Sequence, residues 1–472
     1  MDFLNILPEQ DGLKLQLIEY LLTLVGSEVP VQTVKDNLQI SDYKFEDTLF
    51  GLNTDIEFLT MMNGFEIRDN WLIFGHVVSR DLLQQLRNYY FEMAPLAALI
   101  SEILAINKFP KPIKMEQNYG WSRSYFFKQK KILKTIIDKY IQEVNEVTMR
   151  YFLFDIYNYF CSEIAFNNNV DQQLQQKVIA YFDDELKTPS QKQQMALLVA
   201  MLVKRIQMAE LNFTNELLWM SPKETLTVYL METFKISRER AILESQFLNQ
   251  FLYTNGIIVN RLTKNEITNT WKSIYEQIMI ITQKTLLPYF KQEIIKLDAF
   301  VIQVTPIILA ELILKNKIKN LSFERTKYFK EIYPTLYHAA KKLIDELGVK
   351  LQITDPAQAQ RLLFKIISQV LSFGFDMKKL DRIEICIDFS GGAYVNQFMQ
   401  TTMNSYINVN VEVSNILTKT TDIYLGDKYI PNLGVEEIIL VKPPTPVDWA
   451  TLGKLIAKTK QQKFELGGLI DE

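Results

Sequence analysis

Cysteine is almost absent from this chain: Cys161 and Cys386 are the two in 472 residues. Neither has a second Cys or a His at metal-ligand spacing, which excludes a disulfide framework and leaves both expected as buried thiols. Histidine is equally scarce, with His76 and His338 alone. So little material for a nucleophile, base or metal centre argues against an enzyme, and no catalytic residue, metal or cofactor is expected. The run Asp183-Asp184-Glu185 reads as a solvated helix end, and Gly391-Gly392 lacks the GK[ST] terminus of a phosphate-binding loop. No stretch reaches the ~18 uninterrupted apolar residues of a membrane span. The opening MDFLNILPEQDGLKLQ carries acids where a secretory signal needs a basic region and an apolar one, so a cytoplasmic chain without membrane contact is expected.

What is present is ordinary globular material, 48% hydrophobic and 23% charged. The length suggests roughly three to five domains. The net charge of −3 is an average that can hide opposed local fields, so charge has to be taken segment by segment.

Leu13, Leu17, Leu21 and Leu24 recur at helical spacing up to Val25, and Gly26 is expected to stop that helix. Pro30 opens a short helix through Leu38, Gln39-Ile40-Ser41 breaks it, and Asp42 is placed to cap a third helix running toward Asp55. Phe65-Glu66-Ile67 and Trp71-Leu72-Ile73-Phe74 then form a hairpin through Arg68-Asp69-Asn70. This is the order of a winged helix-turn-helix. Its third helix carries Asp42, Glu46 and Asp47 against Lys44, which suits it poorly to phosphates, so the unit is expected to be mainly structural or a weak DNA contact.

A second unit suits nucleic acid better. A long helical pattern from Arg80 to Asn107 is followed by Pro110 and Pro112, the short segment Ile113–Asn118, Gly120 for a tight turn, and Ser122 as a cap for the helix beyond. Tyr125, Phe126, Leu133, Ile136 and Ile137 are expected to face a core, with Arg123, Lys128, Lys131 and Lys134 in solvent. From Lys111 to Tyr140 there are eight basic residues against Glu116 and Asp138, a local balance of +6. Recognition helices meet base edges with their N-terminal residues and phosphates with their cations, so the candidate DNA-binding residues are Ser122, Arg123, Ser124, Lys128, Lys130, Lys131 and Lys134. Arg123 and Ser124 suit base readout, and the lysines suit positioning. A plain solvated lysine-rich helix face is the competing reading.

Residues 145–378 are long apolar helical patterns such as Met195–Val203 and Leu362–Ile367, without a short repeat, and divide into two bundles of domain size. Near Leu380 the period changes. Arg382–Phe389 reads as a strand, Ser390-Gly391-Gly392 as a loop and Tyr394–Ile407 as a helix. Val409–Val413, Asp422–Leu425 and Glu437–Val441 read as further strands and Trp449–Thr459 as a last helix, a small parallel α/β domain of alternating strands and helices.

This order of parts resembles the Mga/AtxA family of Gram-positive virulence and global transcription regulators, over nearly the whole chain, with local likeness in Tyr119–Ser124 and Ile383–Val395. The resemblance implies a mainly α, multidomain chain: winged helix-turn-helix 1 at 1–78, helix-turn-helix 2 at 79–144, helical phosphotransferase-system regulation domains at 145–265 and 266–378, and an α/β domain like the EIIB component of sugar transporters at 379–472. It also implies promoter DNA as a partner and a homodimer or higher homo-oligomer joined through the C-terminal domain. In the family the regulation domains are phosphorylated on histidine. Here the matched segments carry Lys192 and Lys365, which cannot accept that phosphoryl group, and His338 lies off the matched position as a weak candidate for phosphorylation. The loop after the first C-terminal strand has no nucleophilic Cys, Cys386 lying inside the strand instead. Regulation by a small ligand, a partner protein or abundance is therefore expected in place of a phosphorelay. The alternative is a protein-interaction or sensory scaffold that does not bind DNA.

Overall fold

The computed structural model describes the chain apart from residues 1–2, 25, 62–63, 75–76, 107, 142, 164–168, 207, 209–212, 214–216, 259–265, 315–325, 352, 354, 376–379, 407–409, 441–443 and 469–472. The fold is mostly helical, with a small four-stranded parallel sheet near the C-terminus. It divides into two compact units: Met1–Asn260 with Lys264–Thr270 and Leu314–Ile318, and Arg261–Thr263, Trp271–Ile313 and Lys319–Glu472.

The first unit opens with α1 (Glu9–Leu21), β1 (Glu28–Pro30), α2 (Val31–Leu38) and α3 (Asp42–Thr60). Helix α1 stops at Leu21, earlier than the leucine spacing suggests. The N–H of Thr23 turns back to the Tyr20 carbonyl at 2.9 Å, and the Thr23 hydroxyl bonds the same oxygen at 2.7 Å, so the last turn tightens before Gly26 is reached. The cap of α3 is Ser41, whose hydroxyl accepts from the Lys44 N–H at 3.3 Å; Asp42 is the first helical residue instead. The hairpin of β2 (Glu66–Arg68) and β3 (Trp71–Ile73) turns through Asp69 and Asn70, both at positive φ, as a two-residue turn of type I′ requires. An unforeseen third strand joins it, giving the antiparallel order β1-β3-β2 with Val29 opposite Leu72.

Arg80 to Asn107 is not one helix. It forms α4 (Arg80–Met93) and α5 (Pro95–Ile106), bent by 75°. Pro95 has no N–H to give and pushes Ala94 into the extended region, at ψ 133°, while the apolar spacing runs on unbroken. Next come α6 (Pro112–Tyr119), α7 (Arg123–Tyr140), α8 (Glu146–Phe160), α9 (Asn169–Tyr181), α10 (Pro189–Ile206), α11 (Glu224–Phe234) and α12 (Arg238–Thr254). One continuous hydrophobic core runs from Phe3 to Ile258. The expected segments 1–78, 79–144 and 145–265 all contribute to it: Phe3 stacks on Tyr159 and Phe91 on Phe160, each at 4.6 Å between ring centroids.

The most deeply buried charges of this core form a matched cluster. Glu146 on α8 accepts from the Nε of Arg150 and the Nε of Arg205, both at 2.6 Å, and Arg150 grips Glu244 of α12 with two nitrogens at 2.5 and 2.9 Å. All four side chains are fully buried. Arg205 also donates to the Ile103 carbonyl of α5 at 3.2 Å, fastening α5 to α10.

The second unit holds α13 (Lys272–Leu286), α14 (Ile294–Leu314), α15 (Thr326–Ile332), α16 (Pro334–Leu351) and α17 (Pro356–Ser372). It then forms β4 (Ile383–Asp388), α18 (Ala393–Tyr406), β5 (Val411–Ser414), β6 (Ile423–Gly426), β7 (Glu436–Ile439) and α19 (Pro446–Gly468). The sheet is parallel throughout in the order β5-β4-β6-β7. Strands and helices do not alternate as expected: α18 links β4 to β5, but short loops make the next two connections. The loop after β5 is stiffened by hydroxyl bonds among Thr418, Thr420 and Thr421. Helix α19 lies against α15 and α16 as well as β4.

Lys460 of α19 is buried there, its ammonium donating to the Ile332 carbonyl at 3.1 Å. Burial pulls this amine down from its ordinary 10.5 to about 8, against the pull of Asp381. Between these values the unfolded chain binds the proton and the folded chain does not, so stability should rise as pH goes from about 8 to about 10. Urea midpoints of wild type and Lys460→Met across that range check this: the difference between them should move in favour of wild type as the pH rises.

Candidate nucleic-acid interface

Helices α6 and α7 form a helix-turn-helix whose turn is set by local chemistry. Gly120 takes the left-handed conformation (φ 67°) and returns its N–H to the Glu116 carbonyl at 2.9 Å. The Ser122 hydroxyl accepts from the Tyr125 N–H at 3.2 Å and caps α7. Helix α6 is held against α5 by Glu102, buried, which receives Lys114 at 2.5 Å and Asn118 at 3.3 Å. Met115, Phe126, Leu133, Ile136 and Ile137 fill the core beneath.

Opposite that buried side, α7 shows solvent a cationic face. Arg123, Ser124, Lys128, Lys131 and Lys134 are exposed, and among the described residues none of these four cations is held in an ion pair. Two other candidates have different work. Ser122 is committed to the cap. Lys130 turns to the edge of the core, its ammonium 5.0 Å from the centre of the Phe109 ring and 5.9 Å from that of Phe126. Tyr125, expected inside, is exposed and meets Trp121 edge-on at 5.1 Å. Phe127 is also 47% exposed, amid the cations, and the spacing of apolar residues did not single it out. The signal was there: Phe126 occupies the inward position, and its neighbour in a helix cannot share it.

The corresponding helix of the first unit, α3, presents a different surface. Tyr43, Phe50, Phe58 and Met61 are 71–94% exposed and lie among Asp42, Glu46, Asp47 and Glu57, which also face solvent. Lys44 is drawn to Glu9 at 2.5 Å, leaving this face acidic and aromatic. Such a face repels phosphate.

Lys192 is exposed, 3.6 Å from Asp183. Lys365 is bound to Glu311 at 2.7 Å, and Glu311, buried, also holds Arg361 at 3.2 Å. Burial would raise the Glu311 carboxyl, but Lys365 and Arg361 outweigh it and hold it below the ordinary carboxylate range. His338 sits exposed on α16, its ring 5.5 Å from that of Phe464; His76 lies outside the described residues. In the loop after β4, Ser390 is engaged by Asp427, whose carboxylate accepts from the Ser390 N–H at 2.8 Å and its hydroxyl at 2.6 Å. Cys386 is buried in β4, and burial and Asp388 push its thiol up, away from the reactive thiolate. Cys161, expected buried, is half-exposed at the end of α8.

Among the described residues no cluster of three His, Cys, Asp or Glu could hold a metal ion, and no single helix is long and apolar enough to cross a membrane. No protein-family model and no curated protein sequence matches the chain.

Proposed function

We propose that this chain is a DNA-binding transcription regulator of the kind its order of parts resembles, with helix α7 as the main contact to double-stranded DNA. The observation that carries this reading is the set of four cations, making no ion pair among the described residues, on the exposed face of a capped helix following a glycine turn. Cations so placed suit phosphates, and the helix N-terminus with Arg123 and Ser124 suits base edges. The acidic α3 adds little to DNA affinity. Regulation does not run through a phosphorelay: Lys365 is locked to a buried glutamate and Asp427 engages Ser390 in the loop of the C-terminal sheet. Assembly as a homodimer or higher homo-oligomer through that domain follows the resemblance alone, and the input is a ligand, a partner protein or abundance.

One observation favours a second reading, a protein-interaction scaffold without DNA binding: the exposed aromatic face of α3. The two part in a salt series with the purified full-length chain and duplex DNA from its own upstream region. Three phosphate contacts per chain, from Lys128, Lys131 and Lys134, give a log–log salt slope of roughly −3. Absence of binding at low salt would establish the scaffold reading instead.

A further inference from the structure

We propose that Phe127 reads a thymine methyl group, within one or two base pairs of a guanine held by Arg123; this rests on the DNA-binding reading above. The ring is 47% exposed on a face otherwise cationic, and Phe126, filling the core, leaves it no inward place. Exposure of so large an apolar side chain between Arg123, Lys131 and Lys134 is unfavourable in the free protein, and phosphates do not relieve it. The major groove offers an apolar group to meet it, the C5 methyl of thymine, and the commonest specific partner of an arginine there is guanine.

Geometry links the two contacts. Arg123 and Phe127 lie one turn apart, and the guanidinium carbon stands over the Phe127 ring at 5.9 Å from its centre, so the two side chains share one patch of the helix face. One helical turn rises about 5.4 Å, and successive base pairs are about 3.4 Å apart. The two side chains therefore reach adjacent base pairs or base pairs one step further apart. Both belong to the first two turns of α7, the part of a recognition helix that enters the groove.

The test starts from sites selected by the full-length wild-type protein out of a random duplex library, which should share a guanine with a thymine one or two pairs away. Replacing that thymine by deoxyuridine, which lacks only the methyl, should weaken wild-type binding about fourfold, the worth of one buried methyl-sized group. Phe127→Ala should lose a similar factor on the thymine site, lose nothing further on the deoxyuridine site, and keep the wild-type salt slope. Phe127→Leu, which keeps an apolar contact, should retain most of the thymine preference and so control for folding. Equal wild-type binding to both sites, or losses that multiply, would overturn the proposal while leaving DNA binding intact. A library that yields no enriched site, together with no salt-dependent binding, would remove the DNA-binding reading and this inference with it.

Discussion

Arg123→Ala/Lys128→Ala/Lys131→Ala is expected to lower affinity for duplex DNA by at least about 100-fold at moderate salt. The loss has two parts that can be separated. Removing two lysines from phosphates should flatten the log–log salt slope by about 2. Removing the arginine should cost about 1–3 kcal/mol on the selected site and far less on unrelated sequence, because a base contact carries the discrimination. Among the described residues none of the three side chains is buried or ion-paired, so the variant should fold within about 0.5 kcal/mol of wild type. A triple variant that binds as tightly as wild type, with an unchanged salt slope, would show that α7 does not contact DNA.

Glu146→Gln should destabilise the first unit by about 3–5 kcal/mol. The glutamate is the shared acceptor of Arg150 and Arg205, all three side chains being fully out of solvent. An amide in its place leaves guanidinium charge buried without its counter-ion. Burial by itself would raise the Glu146 carboxyl, but Arg150 and Arg205 overcome that and keep it below the usual carboxylate range. A depressed carboxyl stabilises the fold above the unfolded value of ~4.3 and loses that contribution as pH falls through the folded value. The wild type should therefore lose stability more steeply than the variant below about pH 4. Glu146→Leu combined with Arg205→Met removes charge in balance and leaves the Arg150–Glu244 fork in place, so it should cost less than the single change. Urea denaturation of the three proteins at pH 7 checks the order.

The parts of this fold that were readable from the sequence are those decided within a few residues. Gly120, Ser122 and the paired Asp69-Asn70 each do what their own backbone preferences dictate. Reading was poorer where two local signals compete. The apolar spacing through Leu86, Leu96 and Ile103 suggests one helix, and Pro95 overrules it; Ser41 and Asp42 can both cap, and the serine does. What stayed hidden depends on residues far apart in the chain. Glu146 meets Arg205 from 59 residues away and Arg150 meets Glu244 from 94, so beyond the Glu146–Arg150 pair one turn apart the cluster leaves no local pattern. For the same reason Lys130 counts among the basic residues of its segment, although its ammonium lies over Phe109 in the folded chain.

The continuous core of the first unit bears on how this protein is made. Helix α7 leaves the ribosome before α8 to α12 exist; α8 supplies the aromatic partners of Phe3 and Phe91, and α10 the guanidinium that holds the Ile103 carbonyl. At a synthesis rate of ~5–20 residues per second, roughly 6–24 s separate the emergence of Tyr140 from that of Ile258. During that interval the core of the first unit is incomplete and its apolar surface open, although α7 already has α5 and α6 to pack against; the unit is finished only when translation has passed well beyond them.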